Sequence, residues 1–184
     1  MANGTLKVGT IQTSSGTGTI TLGQSGETVN FPSGVTLTPV DGINVPAFSV
    51  RRSADQSFSA GAWTKIQFDS EGYDTNNFFD STTNYRFTPT IAGKYLFCLN
   101  GGLIYTGTAA VSGIGLYKNA TFEANTVPYI SSMNSGYVLS VSTIIDLNGS
   151  SDYVEAYVYT DATSPSIVDS RQETFFQGCL ISGA

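Results

Sequence analysis

The chain contains no histidine, and only 12% of its 184 residues are charged. Without histidine it lacks the commonest general base near neutral pH and the commonest transition-metal ligand. A serine hydrolase would need another base, and no Gly-x-Ser-x-Gly elbow occurs. Gly16-Thr-Gly18 and Gly113-Ile-Gly115 lack the third glycine of a dinucleotide loop and read as turns. Basic residues are scarce as well: eight Lys plus Arg against fourteen Asp plus Glu give a net charge of -6 and an isoelectric point of about 4.3. Phosphate neutralisation therefore cannot drive binding, and nucleic acid is not an expected partner. The two cysteines, Cys98 and Cys179, fit no metal spacing. The start, Met1-Ala-Asn-Gly-Thr-Leu-Lys-Val8, has neither the charged region nor the apolar core of a secretory signal, which predicts a product held in a cytoplasm until assembly or lysis. No charge falls between Lys94 and Lys118, but Asn100, Gly101, Gly102, Thr106, Thr108, Ser112 and Gly113 interrupt that run. Strands and turns explain it better than a membrane-inserted helix.

What the chain does have is Gly, Ser, Thr, Asn and aromatic residues in short alternating stretches. Phe48/Val50, Ile66/Phe68, Tyr95/Phe97/Leu99, Leu139/Val141 (with Ser140 and Ser142 opposite) and Val154/Ala156/Val158 repeat with period 2 between Gly, Asn, Asp and Pro. Such stretches are half-buried strands, and no segment carries a helical repeat. The expectation is an all-β fold: an antiparallel jelly-roll sandwich of eight to ten strands over residues 46–184. Residues 1–45 differ. They contain no Tyr or Trp, and apolar pairs (Leu6/Val8, Ile20/Leu22, Val29/Phe31, Val35/Leu37) alternate with Gly-containing turns. Strands this short bury nothing alone, so the segment reads as an ordered stem stacked on sister chains, with a flexible Gly/Ser leader as the alternative. Thr38 to Pro46, with two prolines and a glycine, reads as the connector.

One series is more specific: Phe68, Asp74, Phe79, Phe87, then Gly93-x-Tyr95-x-Phe97-x-Leu99. It resembles the signature of the globular head of the complement first-component q subunit, a jelly roll shared with the tumour-necrosis-factor superfamily. Two departures stand out. Seven residues rather than six separate Phe79 from Phe87, and Leu99 replaces the last aromatic. Leu116-Tyr-Lys-Asn-Ala120 resembles the family's strand and Asn-Gly turn, with Ala120 in the glycine place, where it suits a type I′ turn poorly. Phe176-Gln-Gly178-Cys-Leu180 resembles the closing strand. The resemblance implies a non-enzymatic homotrimer that binds other molecules, with Phe68, Phe87, Tyr95, Phe97 and Phe176 in the core or at the trimer axis. It also places Cys98 and Cys179 on neighbouring strands, leaving open a disulfide or two free buried thiols. No organic cofactor is implied. Calcium is the ion that hard oxygen ligands on the loops would suit, although no EF-hand loop is present.

Candidate acids are Asp69, Glu71 and Asp74, and Asp161 with Asp169. A glycosidase would need two of them converging, whereas turn carboxylates are ordinarily solvated or bonded to nearby amides. For ligand binding the candidates are Tyr129 and Asn134 in the loop Val127–Gly136, Tyr137 just after it, and Asp161 in the loop Thr160–Ser166. Tyrosine rings stack on sugars while amides and carboxylates bond hydroxyls. Trp63 reads as a partly buried anchor. Finally, Gly18 to Leu37 resembles a repeat near the N-termini of bacteriophage tail-fibre and appendage proteins. The combined expectation is a virion structural protein, a short phage tail fibre or capsid fibre. Its stem would hold other virion proteins and its knob would bind host-surface glycans or receptors. Alternatives are a capsid decoration or tail-assembly protein without a receptor role, and a soluble bacterial complement-like binding module.

Overall fold

A computed structural model of the chain describes residues 45–133, 136–169 and 173–183, together with Ile11 and Thr28. The expected stem over residues 1–45 lies almost wholly outside the described residues, and Asn134 lies outside them too.

The described residues form strands and turns only: β1 (Ala47–Arg51), β2 (Gln56–Ser57), β3 (Thr64–Lys65), β4 (Ser70–Asp74), β5 (Phe79–Asp80), β6 (Arg86–Phe87), β7 (Gly93–Thr106), β8 (Ala109–Lys118), β9 (Thr121–Thr126), β10 (Tyr129–Met133), β11 (Tyr137–Leu147), β12 (Val154–Thr160), β13 (Thr163–Ile167) and β14 (Phe175–Gly183). The uncharged run between Lys94 and Lys118 is thus β7, a turn at Gly107, and β8. Two antiparallel sheets result, the all-β jelly-roll sandwich expected. In the first, β7 is central. β11 lies along one edge, with Leu147 opposite Gly93 and Tyr137 opposite Leu103. The other edge carries β14 and then β13, and β1 and β4 extend the sheet beyond β14. Where β13 gives way to β14, the buried Thr174 hydroxyl accepts from Gly102 N (3.0 Å) and donates to Val168 O (2.5 Å), filling a gap in the ladder. The second sheet is built on β8 and β12, with β9 and β10 outside β8 and β3, β6 and β5 outside β12.

The signature residues are the core between the sheets. Phe48 stacks on Phe87 at 4.5 Å between centroids and meets Phe176 edge-on at 4.9 Å, while Phe97 stacks on Phe176 at 5.7 Å. Phe68, Tyr95 and Leu99 are fully buried with them. The family spacings have local causes. Asp74 accepts from Phe79 N (2.7 Å) and Asn76 N (3.3 Å), which closes the turn between β4 and β5. Gly178 is needed because a side chain there would strike Leu96 O and the Phe97 ring, both at 2.8 Å. A Cβ on Gly93, whose φ is +154°, would lie 2.4 Å from Ser182 O. The extra residue between Phe79 and Phe87 is absorbed in a turn organised by Asp80. Its carboxylate takes the amides of Thr82, Thr83 and Asn84, so that Phe79 still faces Phe87.

Several local expectations differ from the structure. Gly113-Ile-Gly115 is not a turn but part of β8, and the expected loop Val127–Gly136 holds β10, because both segments find ladder partners in the second sheet. Ile66 and Phe68 are buried with Gln67 exposed between them, yet the stretch is no ladder strand, because it crosses from the second sheet to the first. The Gln56 side chain stands in for the missing strand there, donating to Lys65 O and accepting from Gln67 N, each at 2.9 Å. Ala120, poorly suited to a type I′ turn, nonetheless makes the β8–β9 connection, with φ of 50° at Asn119 and 63° at Ala120. Asn119 secures it by donating to Asp152 (2.8 Å) and accepting from Tyr153 N (3.0 Å).

Candidate functional site

Three of the four residues expected to contact a ligand meet at one end of the sandwich. Tyr129 on β10 stands opposite Val111 on β8. Asp161, in the β12–β13 turn, accepts from Ala110 N (2.9 Å) and Val111 N (3.1 Å) through one oxygen. Beneath them Ser112 and Thr160, both fully buried, share a hydroxyl bond of 2.6 Å. Tyr137 turns inward and meets Tyr105 edge-on at 6.2 Å. Neither buried phenol oxygen has a hydrogen-bond partner; Ser112 lies near the Tyr137 oxygen without completing a well-formed bond. Burial, reinforced by the Asp161 charge, pushes both phenols above the ordinary tyrosine range. Of these rings Tyr129, 87% exposed, stands out in solvent, whereas Tyr137 is partly buried and Tyr105 buried.

The carboxylates are turn-builders. Asp69 pairs with Arg52 at 3.2 Å and accepts from the amide and hydroxyl of Ser53, and Glu71 accepts from Ser81 Oγ at 2.5 Å. Asp169, whose amide donates to Asp55 (2.8 Å), closes off β13. Among the described residues no group of three or more Cys, Asp and Glu could hold a metal ion.

A second feature is the solvent-facing side of the first sheet. One row across four strands reads Ile144, Leu96, Cys179 and Ala47. The next reads Ser142, Cys98, Gln177, Ser49 and Tyr73. Leu96 is 37% exposed, Ile144 56%, Ile181 52% and Tyr73 52%. Tyr73, Leu96, Cys98, Gln177, Gly178 and Cys179 line a shallow concavity in this face. Cys98 faces Gln177, and Cys179 faces Leu96, so the thiols are diagonal neighbours and both are free. Diagonal Cα atoms lie roughly 7–8 Å apart, beyond the usual reach of a disulfide. The disulfide left open above is therefore absent, and the thiols are half-buried on an outward face.

Tyr105, Leu96 and Ile144 escaped sequence reasoning. The signal available was the uncharged stretch itself. A strand with one solvated face alternates apolar and polar residues, whereas β7 is apolar at Tyr95, Leu96, Phe97, Cys98 and Leu99 in succession, the pattern of a strand covered on both faces.

No protein-family profile and no curated protein matches the sequence. Solved structures do. Eiger TNF from S. frugiperda is similar over 76% of this chain and 93% of its own, with 12% identity and a TM-score of 0.54. Murine APRIL at pH 5.0 is similar over 74% of this chain and 99% of its own, with 10% identity and a TM-score of 0.54, and at pH 8.5 with 11% identity and 0.55. At such identities the likeness is one of fold: a tumour-necrosis-factor-like jelly roll.

Proposed function

We propose that the protein is a non-enzymatic attachment module that works as a homotrimer, as a short phage tail fibre or capsid fibre. Residues 1–45 would fix it to other virion proteins, and the jelly-roll knob would hold host-surface glycans or receptors. The observation that carries the reading is the outward face of the first sheet. An uncharged row of Ile144, Leu96, Cys179 and Ala47, flanked by Tyr73 and Ile181, spans four strands and remains substantially exposed in one chain. Contiguous exposed apolar surface of this kind marks an interaction site, and a three-fold ring closes when a different part of the next copy seats against this face in a heterologous contact. The trimer itself comes from the family resemblance, and the virion role from the likeness of residues 18–37 to phage appendage repeats. Three knobs on one stem turn weak single contacts into firm attachment, since avidity raises affinity by about 10²–10⁴ where geometry permits. Calcium has a place in this reading only as an accessory to the loops.

The native mass of the full-length protein by light scattering tests it. A species three times the 19.4 kDa chain is expected. A monomer at micromolar concentration would remove both the trimer and the avidity mechanism.

A further inference from the structure

The solvent-facing side of the second sheet carries a continuous layer of five aromatic rings. Trp63, in the approach to β3, meets Tyr159 at 5.6 Å and Phe122 at 4.8 Å. Phe122 meets Tyr117 at 4.0 Å, and Tyr117 meets Tyr157 at 4.2 Å. The rings lie on bare backbone. Gly113 and Gly115 of β8 stand opposite Tyr159 and Tyr157 of β12. A Cβ at Gly113 would lie 3.1 Å from Trp63 Cη2, and one at Gly115 would lie 2.8 Å from Phe122 Cε1. Alternating glycines thus let the rings settle against the sheet as a platform.

Simple packing would bury such a layer and satisfy its polar atoms. Here the five rings all remain partly accessible, Phe122 to 40%. The indole N–H of Trp63, the hydroxyls of Tyr117 and Tyr159 and the amide of Asn125 make no hydrogen bond with the rest of the described chain. Asn125, exposed and directly opposite Gly115, adjoins Phe122 at the margin of the layer. Nearby charge is sparse: Lys65 pairs with the buried Glu155 at 2.5 Å, Glu155 also accepts from the Tyr157 hydroxyl at 3.1 Å, and the exposed Glu123 follows Phe122 on β9. Adjoining ring surfaces, with Trp63 edge-on to Phe122 at 78° and to Tyr117 at 66°, bordered by donors and acceptors, offer a sugar ring C–H contacts together with hydrogen bonds to its hydroxyls.

We infer that the outward face of the second sheet, with Trp63, Tyr117, Phe122 and Tyr159 as the stacking surface and Asn125 as a polar contact, binds uncharged pyranose rings. This rests on the glycan-attachment reading and assigns its contact surface to the sheet instead of the loop end around Tyr129. Trp63 is the only tryptophan in the chain, so its emission reports on the platform alone. Full-length protein is titrated with dextran, mannan and arabinogalactan, following tryptophan emission and, in parallel, retardation in gels containing each polysaccharide. Because ring stacking tolerates different sugars, at least one of the three shifts the emission. Phe122→Ala and Asn125→Ala each weaken that binding by about tenfold. Tyr129→Ala leaves it unchanged. Asn125→Ala keeps every ring in place, so its unchanged melting curve separates lost contact from lost fold. Absence of any emission shift overturns the inference, as does a shift undiminished in both variants. Retardation without an emission shift overturns it too, while leaving glycan attachment through another surface standing. A monomeric protein that still shifts overturns the trimer alone.

Discussion

Replacing Leu96 by Glu tests the self-association face most directly. The exposed parts of Leu96, Ile144, Ile181 and Tyr73 together equal about two whole large side chains. At about 1.5–3 kcal/mol for each side chain fully withdrawn from water, closing this face contributes on the order of 3–6 kcal/mol per protomer. Lost translational and rotational freedom and side-chain ordering oppose association by a comparable 4–15 kcal/mol or so. The assembly is then finely balanced, and a carboxylate in the middle of the row decides it. The introduced carboxylate would face Ile144 and Cys179, and Lys94, the next outward residue on β7, already pairs with Asp146 at 3.8 Å; a charge taken into an interface without a partner of its own costs several kcal/mol. Within one chain position 96 is more than a third exposed, so the variant loses little stability as a monomer. Light scattering at about ten micromolar should give the 19.4 kDa chain for Leu96→Glu and three times that mass for the parent and for Thr121→Glu on the opposite sheet. An oligomer of Leu96→Glu with the parental mass would refute the assignment of this face, and so would equal dissociation of the Thr121→Glu control.

Other predictions concern the fold around the two surfaces. Ala120 sits at a φ of 63°, which costs a non-glycine residue roughly 1–2 kcal/mol, partly offset by its smaller loss of unfolded-state freedom. Ala120→Gly should therefore stabilise by about 0.5–1 kcal/mol and raise the calorimetric melting midpoint by roughly 1–4 °C; an unchanged or lower midpoint would show that Asn119 and its partners already relieve the strain. The Tyr105 hydroxyl is buried without a partner, so Tyr105→Phe should be neutral or stabilising by up to about 1 kcal/mol in urea unfolding, and a clear loss would mean that the hydroxyl is bonded in solution. Hydrogen bonds from the Thr83, Thr82 and Asn84 amides and the Asn84 side chain hold the Asp80 carboxyl well below the usual range, and the Asn119 and Lys118 side chains depress Asp152. For Asp69, burial works upward but is outweighed by the hydroxyl and amide of Ser53 and by Arg52. All three folded-state values lie below the unfolded ones, so their stabilisation is complete above the unfolded value of about 4 and disappears as pH falls through the folded values. The melting midpoint should be flat from neutrality to about pH 5, then fall, and Asp80→Asn should flatten the decline; a parental midpoint unchanged at about pH 2 would contradict this account.

Much of the architecture was legible because the features that specify a jelly roll are local. The spacing of Asp74 from Phe79 is a turn closed by one carboxylate, and Gly93 and Gly178 are places where a side chain would strike backbone. What escaped were properties settled across the sheet. The stretch Ile66–Phe68 alternates like a strand, yet a side chain from Gln56, ten positions before Ile66, takes the place of its ladder partner. Tyr137 is a loop-flanking tyrosine in sequence and, in the fold, a partly buried ring packed edge-on against the buried Tyr105. The platform on the second sheet needs Gly113 and Gly115 to stand opposite Tyr159 and Tyr157, a register that joins segments more than forty residues apart. Gly113-Ile-Gly115, a turn by its sequence, lies within β8 and leaves room for rings, while Gly16-Thr-Gly18 lies outside the described residues.

The two surfaces are opposite sides of one sandwich, and that makes their roles separable. Copies that meet through the first sheet leave the second pointing away from the contact, free to engage a partner. Substitutions on the two faces share no neighbours and should act additively on stability. Attachment is the exception, because it multiplies one face by the other. In a trimer each platform binds a single sugar ring as a monomer would, so Leu96→Glu should leave the affinity for a soluble monosaccharide unchanged. On a dense glycan surface, where several platforms engage together, the same variant should lose about 10²-fold or more in apparent affinity. Phe122→Ala should weaken both. Surface plasmon resonance on immobilised polysaccharide, beside tryptophan titration with the free sugar, separates the two effects. If Leu96→Glu bound the surface as tightly as the parent, attachment would owe nothing to assembly, and the aliphatic row on the first sheet would need another occupant.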